Sequence, residues 1–430
     1  MFERLFKLRK HNTSVRQELV AGVTTFLTMA YIIFVHPNIL SDAGMDKSAL
    51  ITATALAAAV GTLIIGLWVN VPFAMAPGMG LNAYFTYTLV IGQGLHWQTA
   101  LGVVFLSGVL FLVLATFGFR KKIIDAIPYT LRIAIPAGIG LFITFIGFQN
   151  MGLIVQSEAT LVTLGSMTPS VLMGLAGLAL IIILEATKVK GSILIGIIAT
   201  TLLGVIFGDV TMPDSFISSP PALEPIAFKL DIVAALQWSL AGAIFAFMFV
   251  DMFDSVGTLI ACSYQAGMVD KEGNIDRIGQ MLGADAIATM TGALFGTSTT
   301  TTYIESGSGI EEGGRTGLTA AVVALLFILA LLFTPIIGVV PSYATAPALV
   351  IVGLFMFKNI RNVDLKEFEQ LVPVFLTVVL MPLTYSISLG LTFGFLSYIL
   401  LMTIRGKAAE VSWVMWIIGL FSLANLWITG

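Results

Sequence analysis

Apolar runs long enough to cross a bilayer recur from one end of the chain to the other, separated by short polar breaks. The pattern predicts seven spans in a first group, at residues 19–40, 49–68, 71–91, 99–119, 133–151, 171–186 and 192–207. A polar stretch rich in proline and aspartate, 208–231, then interrupts. Seven more follow, at 239–264, 278–295, 297–309, 318–340, 344–357, 373–386 and 389–404. A last apolar stretch, 411–428, carries Trp413, Trp416 and Trp427. It is either a fifteenth span or an interfacial helix, and the tryptophans favour the interface. The expected organisation is a leader at 1–18, a first repeat at 19–207, a connecting loop at 208–238, a second repeat at 239–404 and a tail at 405–430.

Basic residues test the count. Arg120, Lys121 and Lys122 follow segment four, Lys188 and Lys190 segment six, and Lys271 and Arg277 segment eight. Arg315 follows segment ten, Lys358, Arg361 and Lys366 segment twelve, and Arg405 and Lys407 segment fourteen. All these even-numbered exits share one side with the basic N-terminus (Arg4, Lys7, Arg9, Lys10, Arg16), while the odd exits are poor in Lys and Arg. The positive-inside rule therefore predicts fourteen spans in a cell membrane, plasma or inner, with both termini cytoplasmic. The leader is amphipathic and lacks the apolar core of a signal peptide, so it is expected to lie on the membrane surface. Residues 358–370 alternate charged and apolar positions and read as an amphipathic surface helix.

Composition agrees. Hydrophobic residues make up 57% of the chain and charged residues 10%, with a mean hydropathy of +0.99. A soluble domain carries about 25% charge. A net charge of −3 gives no reason to expect a nucleic-acid partner. One cysteine, Cys262, and three scattered histidines exclude a disulfide framework and argue against a metal cluster.

Seven is odd, so two groups sharing one fold must be inverted relative to each other, a frequent transporter design with its site at the midplane. Segments three and ten support this pairing. Segment three opens on Val71-Pro72-Phe73-Ala74-Met75-Ala76-Pro77-Gly78, and segment ten on six consecutive Ser/Thr residues, Thr297 to Thr302. Prolines break one and β-branched residues extend the other, so each is predicted as a short strand entering a half-helix. Irregular backbone at membrane depth is tolerated inside protein or around a watery cavity. The fold class is thus all-α and polytopic, with short strands in segments three and ten lining the site.

Acids within spans are costly and informative. Asp251, Asp254 and Thr258 lie at i, i+3 and i+7 in segment eight, on one helix face. Two carboxylates one turn apart in low dielectric do not both ionise easily, which suits one of them to taking and releasing a proton. Hydrogen bonding to neighbouring helices is the plainer alternative for both, more so for Asp251. Asp285 has no comparable constellation and reads as structural. Glu305 follows the segment-ten strand, where half-helix amides and a carboxylate together suit a planar heterocycle with donor and acceptor edges; the alternative is a capping glutamate. Asn82 holds the matching place in segment three, as a ligand group or a polar cap. Glu311, Glu312 and Arg315 read as a solvated or ion-paired cluster, and Glu185 with Lys188 as interfacial.

The motifs around these residues carry a resemblance. Thr24-Thr25-Phe26-Leu27-Thr28-Met29-Ala30-Tyr31, Ala76-Pro77-Gly78-Met79-Gly80-Leu81-Asn82-Ala83, Phe253-Asp254-Ser255-Val256-Gly257-Thr258, Tyr303-Ile304-Glu305-Ser306 and Gly313-Gly314-Arg315-Thr316-Gly317-Leu318-Thr319 span nearly the whole chain. Together they resemble the purine permeases of the nucleobase–cation symporter family, in its guanine/hypoxanthine and AzgA-like branch. The resemblance implies seven-plus-seven inverted repeats divided into core and gate domains. It implies proton-coupled uptake, with Asp254 and Glu305 binding the base and Asp251 and Asn82 close by. It implies no metal or organic cofactor and no enzymatic activity. The expected partners are a purine base, a proton and the lipid bilayer, and a homodimer is compatible with such a carrier. Related branches vary at the position of Asp251.

Rival readings are an anion carrier of the related sulfate-transporter fold, a xanthine/uracil-type nucleobase carrier, an intramembrane aspartyl protease and a passive channel. Carboxylates at Asp254 and Glu305 repel anions. Gly283-Ala284-Asp285 departs from the Gly-x-Gly-Asp pattern of the proteases, and uptake against a gradient would exclude a channel.

Overall fold

A computed structural model describes residues 2–116, 127–269, 275–363 and 366–429. The basic positions 120–122 and Lys271 lie outside the described residues. Apolar sequence becomes helix because only internally hydrogen-bonded segments survive in hydrocarbon. Side chains set several starts: the Asp46 carboxylate accepts from the Ala49 amide at 2.7 Å, and Ser14, Thr168 and Ser386 cap their helices in the same way.

Fourteen segments are present among the described residues. Helices Val15–Met29, Ile32–Ser41, Lys47–Ile64, Trp97–Thr116, Ala241–Gln265, Ile278–Phe295 and Gly317–Ala330 gather in one bundle, with helix Gly317–Ala330 against helices Val15–Met29 and Lys47–Ile64. Helices Tyr129–Asn150, Pro169–Ala186, Ser192–Ile206, Ser342–Phe357, Phe368–Thr384 and Ile387–Ile404 form the other. Each bundle draws segments from both halves of the sequence. Helix Trp413–Thr429 packs against helices Ile387–Ile404 and Ala241–Gln265.

The two interrupted segments meet at the centre. Strand Met75–Pro77 pairs antiparallel with strand Thr300–Thr302, in the register Met75 to Thr302 and Pro77 to Thr300. Short half-helices follow, Met79–Ala83 and Ser306–Glu311. The ladder continues past the strands: Gly78 donates to the Thr299 carbonyl and Tyr303 to that of Ala74, both at 2.9 Å. Thr62 both donates to and accepts from Met75. Every strand residue is buried, so these backbone groups have no water to turn to and must find partners in protein. Gly296, at φ +89°, makes the left-handed turn from helix Ile278–Phe295 into the second strand.

Three expectations about the fold need correction. The first span is broken at Ala30–Tyr31 into helices Val15–Met29 and Ile32–Ser41. The leader does not run to Glu18: the helix begins at Val15, and Glu18 is fully buried. There its carboxylate accepts from the amides of Arg315, Thr316 and Thr319 and from the Thr319 hydroxyl, capping helix Gly317–Ala330. Residues 358–370 are not one surface helix; Lys358–Asn362 is a 3-10 turn, and Phe368 already opens the next span. An exposed hairpin, Ile154–Ser157 with Leu161–Leu164, stands in the 152–168 connection.

Candidate functional site

Helix Ala241–Gln265 runs unbroken past the strand pair and presents one face to it. Three adjoining spaces share Glu305. The innermost is lined by Tyr31, Gly78, Gly80, Asp254, Thr258 and Glu305. It opens into a cavity of about 490 Å³ bounded by Asp254, Thr258, Glu305, Phe253, Met356 and Lys358, within the ~300–1,000 Å³ range of small-molecule sites. A further space reaches Glu185, Lys188 and Glu311.

Glu305 stands at the N-cap of half-helix Ser306–Glu311 but makes no side-chain cap. Its Oε1 instead accepts the Tyr31 hydroxyl at 2.6 Å. Asp254, half-buried, faces the same space together with Thr258. The site thus offers two carboxylates, a hydroxyl and the amide end of a half-helix beside apolar walls. Such a surface can grip a planar ligand with N–H donors on one edge and acceptors on another.

The other expected residues lie behind this wall. Asp251 is fully buried and accepts from Thr289 at 2.9 Å, while its Oδ1 has no hydrogen-bond partner. The shared face with Asp254 and Thr258 therefore does not extend to the cavity: a three-residue step turns a helix by about 60°, enough to aim Asp251 at helix Ile278–Phe295. Asn82 is buried as well, and its Oδ1 accepts the Ser298 hydroxyl. It ties half-helix Met79–Ala83 to the strand approach and does not line the cavity.

Asp285, buried in helix Ile278–Phe295, holds the second strand in place. Its Oδ1 accepts the amide and hydroxyl of Thr302, and its Oδ2 accepts Ser255 at 2.5 Å. Tyr303, whose hydroxyl donates to the Pro77 carbonyl at 2.5 Å, completes the wall. Sequence reasoning missed Tyr31 and Tyr303 as contributors; both lie in the quoted motifs, but neither spacing nor charge singled them out. Among the described residues no group of three or more His, Cys, Asp or Glu side chains gathers as a metal site.

A second vestibule of about 450 Å³ lies toward the other end of helix Ala241–Gln265, lined by Tyr84, Thr88, Gln93, Leu240 and Ser388. Leu240 and Gly257, which border the two cavities, are some 25 Å apart along the helix at ~1.5 Å per residue. Tyr84 and Phe247 pack between them with ring centroids 4.8 Å apart.

Residues 16–393 match the Permease family. The chain is 45% identical to the adenine permease AdeP of Escherichia coli over 96% of its own length and 93% of that protein. It is 44% identical to the guanine/hypoxanthine permease PbuG of Bacillus subtilis, with 97% of each chain covered. In three dimensions it is similar to the transmembrane domain of the cyanobacterial bicarbonate transporter BicA, with a TM-score of 0.66, 15% identity and coverage of 87% of this chain and 97% of that one. That likeness shows the fold, the seven-plus-seven inverted repeat.

Proposed function

Because the chain belongs to the Permease family and is a nucleobase permease, we propose that it imports purine bases together with protons, taking guanine and hypoxanthine in preference to adenine. The observation that carries this is the meeting of Glu305 and Asp254 in one cavity at the mouth of the paired half-helices. Guanine and hypoxanthine present an N1–H beside a carbonyl, which matches a carboxylate beside an amide; adenine has no N1–H. Identity does not choose between them, since the adenine and the guanine/hypoxanthine relatives stand at 45% and 44%.

In this reading Glu305 holds the base and Asp254 carries the proton. Asp254 sits half-buried with Thr258 beside the ligand space, and a carboxylate there binds a proton without leaving the path of the substrate. Thr258 is the adjacent polar contact. Asp251 and Asn82, expected as ligand groups, act through the strand framework, and Asp251 stays the second candidate for proton binding. In the same reading the cavity bordered by Lys358 and the adjoining space at Lys188 open to the cytoplasm, in keeping with the basic exits, and both termini lie on that side of the cell membrane. The Tyr84 vestibule faces outward.

Uptake of radiolabelled hypoxanthine against a panel of unlabelled competitors tests the reading. Guanine and hypoxanthine compete best, adenine weakly, and xanthine, uracil, bicarbonate and sulfate not at all. Adenine as the strongest competitor reverses the preference; uracil or an anion as the strongest overturns the purine assignment.

A further inference from the structure

Segment one is apolar enough to run straight through the membrane, yet it breaks at Ala30–Tyr31 and resumes at Ile32. No proline or glycine stands at the break. What stands there is a tyrosine with 1% of its surface exposed. Its hydroxyl reaches across 274 positions to Glu305 Oε1 at 2.6 Å, and its ring borders the innermost space beside Asp254, Gly78 and Gly80. A buried polar group is costly unless partnered, so this break spends a buried hydroxyl on one carboxylate oxygen. Among the described residues no cation pairs with Glu305, and the Tyr31 phenol is its one side-chain hydrogen-bond partner.

We infer that Tyr31 is a positioning residue for substrate: it fixes the Glu305 carboxylate so that Oε2 faces the ligand space. This rests on the reading of Glu305 as the base-binding group. A carboxylate on a flexible glutamate can rotate about its terminal torsion, which is broad and poorly determined by itself. A hydrogen bond from a residue locked in the core removes that freedom before ligand arrives, and affinity gained by preorganisation is lost when the lock is removed. Tyr303 offers a built-in comparison. It borders the same space, but its hydroxyl is committed to the Pro77 carbonyl and does not reach Glu305 in the hydrogen-bond pattern.

A double-mutant cycle on hypoxanthine binding to the purified full chain tests this, with melting temperature read in parallel. Tyr31→Phe weakens binding roughly tenfold to a hundredfold, the range expected for losing a hydrogen bond to a charged group. It raises KM for uptake while leaving maximal counterflow within about twofold of the parent. In the Glu305→Gln background the same Tyr31→Phe change costs no more than about twofold, because the second carboxylate oxygen that it aims at the ligand is already gone. Tyr303→Phe, by contrast, multiplies with Glu305→Gln. Tyr31→Met, equally without a hydroxyl, runs the same cycle if the phenylalanine variant does not insert. If Glu305→Gln weakens binding and Tyr31→Phe either leaves binding intact or multiplies with it, Tyr31 has no positioning role. If Tyr303 couples to Glu305 as strongly as Tyr31, the coupling belongs to the whole wall and the inference also fails. If Glu305→Gln itself binds like the parent, the base-binding reading is what has fallen.

Discussion

Asp285 accepts both the amide and the hydroxyl of Thr302, at 3.0 and 3.1 Å, so a buried carboxylate on one helix serves as the missing neighbour of a strand only three residues long. Asp285→Ala would leave those two donors and the Ser255 hydroxyl seeking new partners. At ~1–3 kcal/mol for each buried donor left unpaired, the loss of stability should be about 3 kcal/mol or more. Melting of the detergent-purified protein should fall, and hypoxanthine binding with it. A variant that binds less while melting like the parent would place Asp285 in the ligand site instead.

Glu305→Gln should behave in the opposite manner. Glutamine keeps the size but turns one acceptor oxygen into a donor, which opposes a purine N–H. The expected cost is about 2–4 kcal/mol of affinity, roughly 30-fold to 1,000-fold in Kd. Melting temperature should stay close to the parent's, since Gln can still accept from Tyr31. Equilibrium binding of labelled hypoxanthine reads the outcome, and an unchanged Kd would leave Glu305 a structural residue.

Asp254→Asn separates coupling from binding. The amide mimics a permanently protonated acid, so accumulation driven by an imposed pH gradient should vanish. Base-for-base counterflow should survive at a level within severalfold of the parent. The two are measured side by side in proteoliposomes. Concentrative uptake by Asp254→Asn would move the coupling role to Asp251 or Glu305.

Sidedness is testable with single cysteines in a background from which Cys262 has been removed. Asp214, in the connecting loop, should label from outside, and Glu311, beside the Lys188 cavity, from inside. Labelling of both from the same face would contradict the inverted arrangement.

The spans and the two strand-bearing segments were legible because hydrocarbon imposes a length on every apolar run, and because Pro72, Pro77 and the Thr297–Thr302 run fit poorly in a helix. Glu305, Asp254 and Thr258 were legible as polar groups out of place. Asp251 was misplaced because i, i+3 spacing gives only a broad face, and the turn between the two positions is enough to put Asp254 in the cavity and Asp251 against helix Ile278–Phe295. Glu18 was assigned to a basic leader since its neighbours in sequence are charged; its partners, Arg315 to Thr319, lie some 300 positions away. Tyr31 carries no charge, breaks no propensity rule and sits in an apolar run, so only the folded chain reveals that its hydroxyl meets a carboxylate.

The strand pair also bears on how the protein is made. Pro77 and Tyr303, bonded to each other, are separated by 226 positions, and segment three is synthesised long before its partner exists. In the interval the Met75–Pro77 backbone has only its own half to lean on: Thr62, on the preceding helix, already satisfies Met75 in both directions. The remaining groups await segment ten, so ligand binding can arise only once the second half has entered the bilayer. Contacts this distant in sequence close slowly. The transport centre is accordingly among the last parts of the molecule to form, and a nascent chain halted before Thr300 would hold a membrane-resident half with nothing to bind.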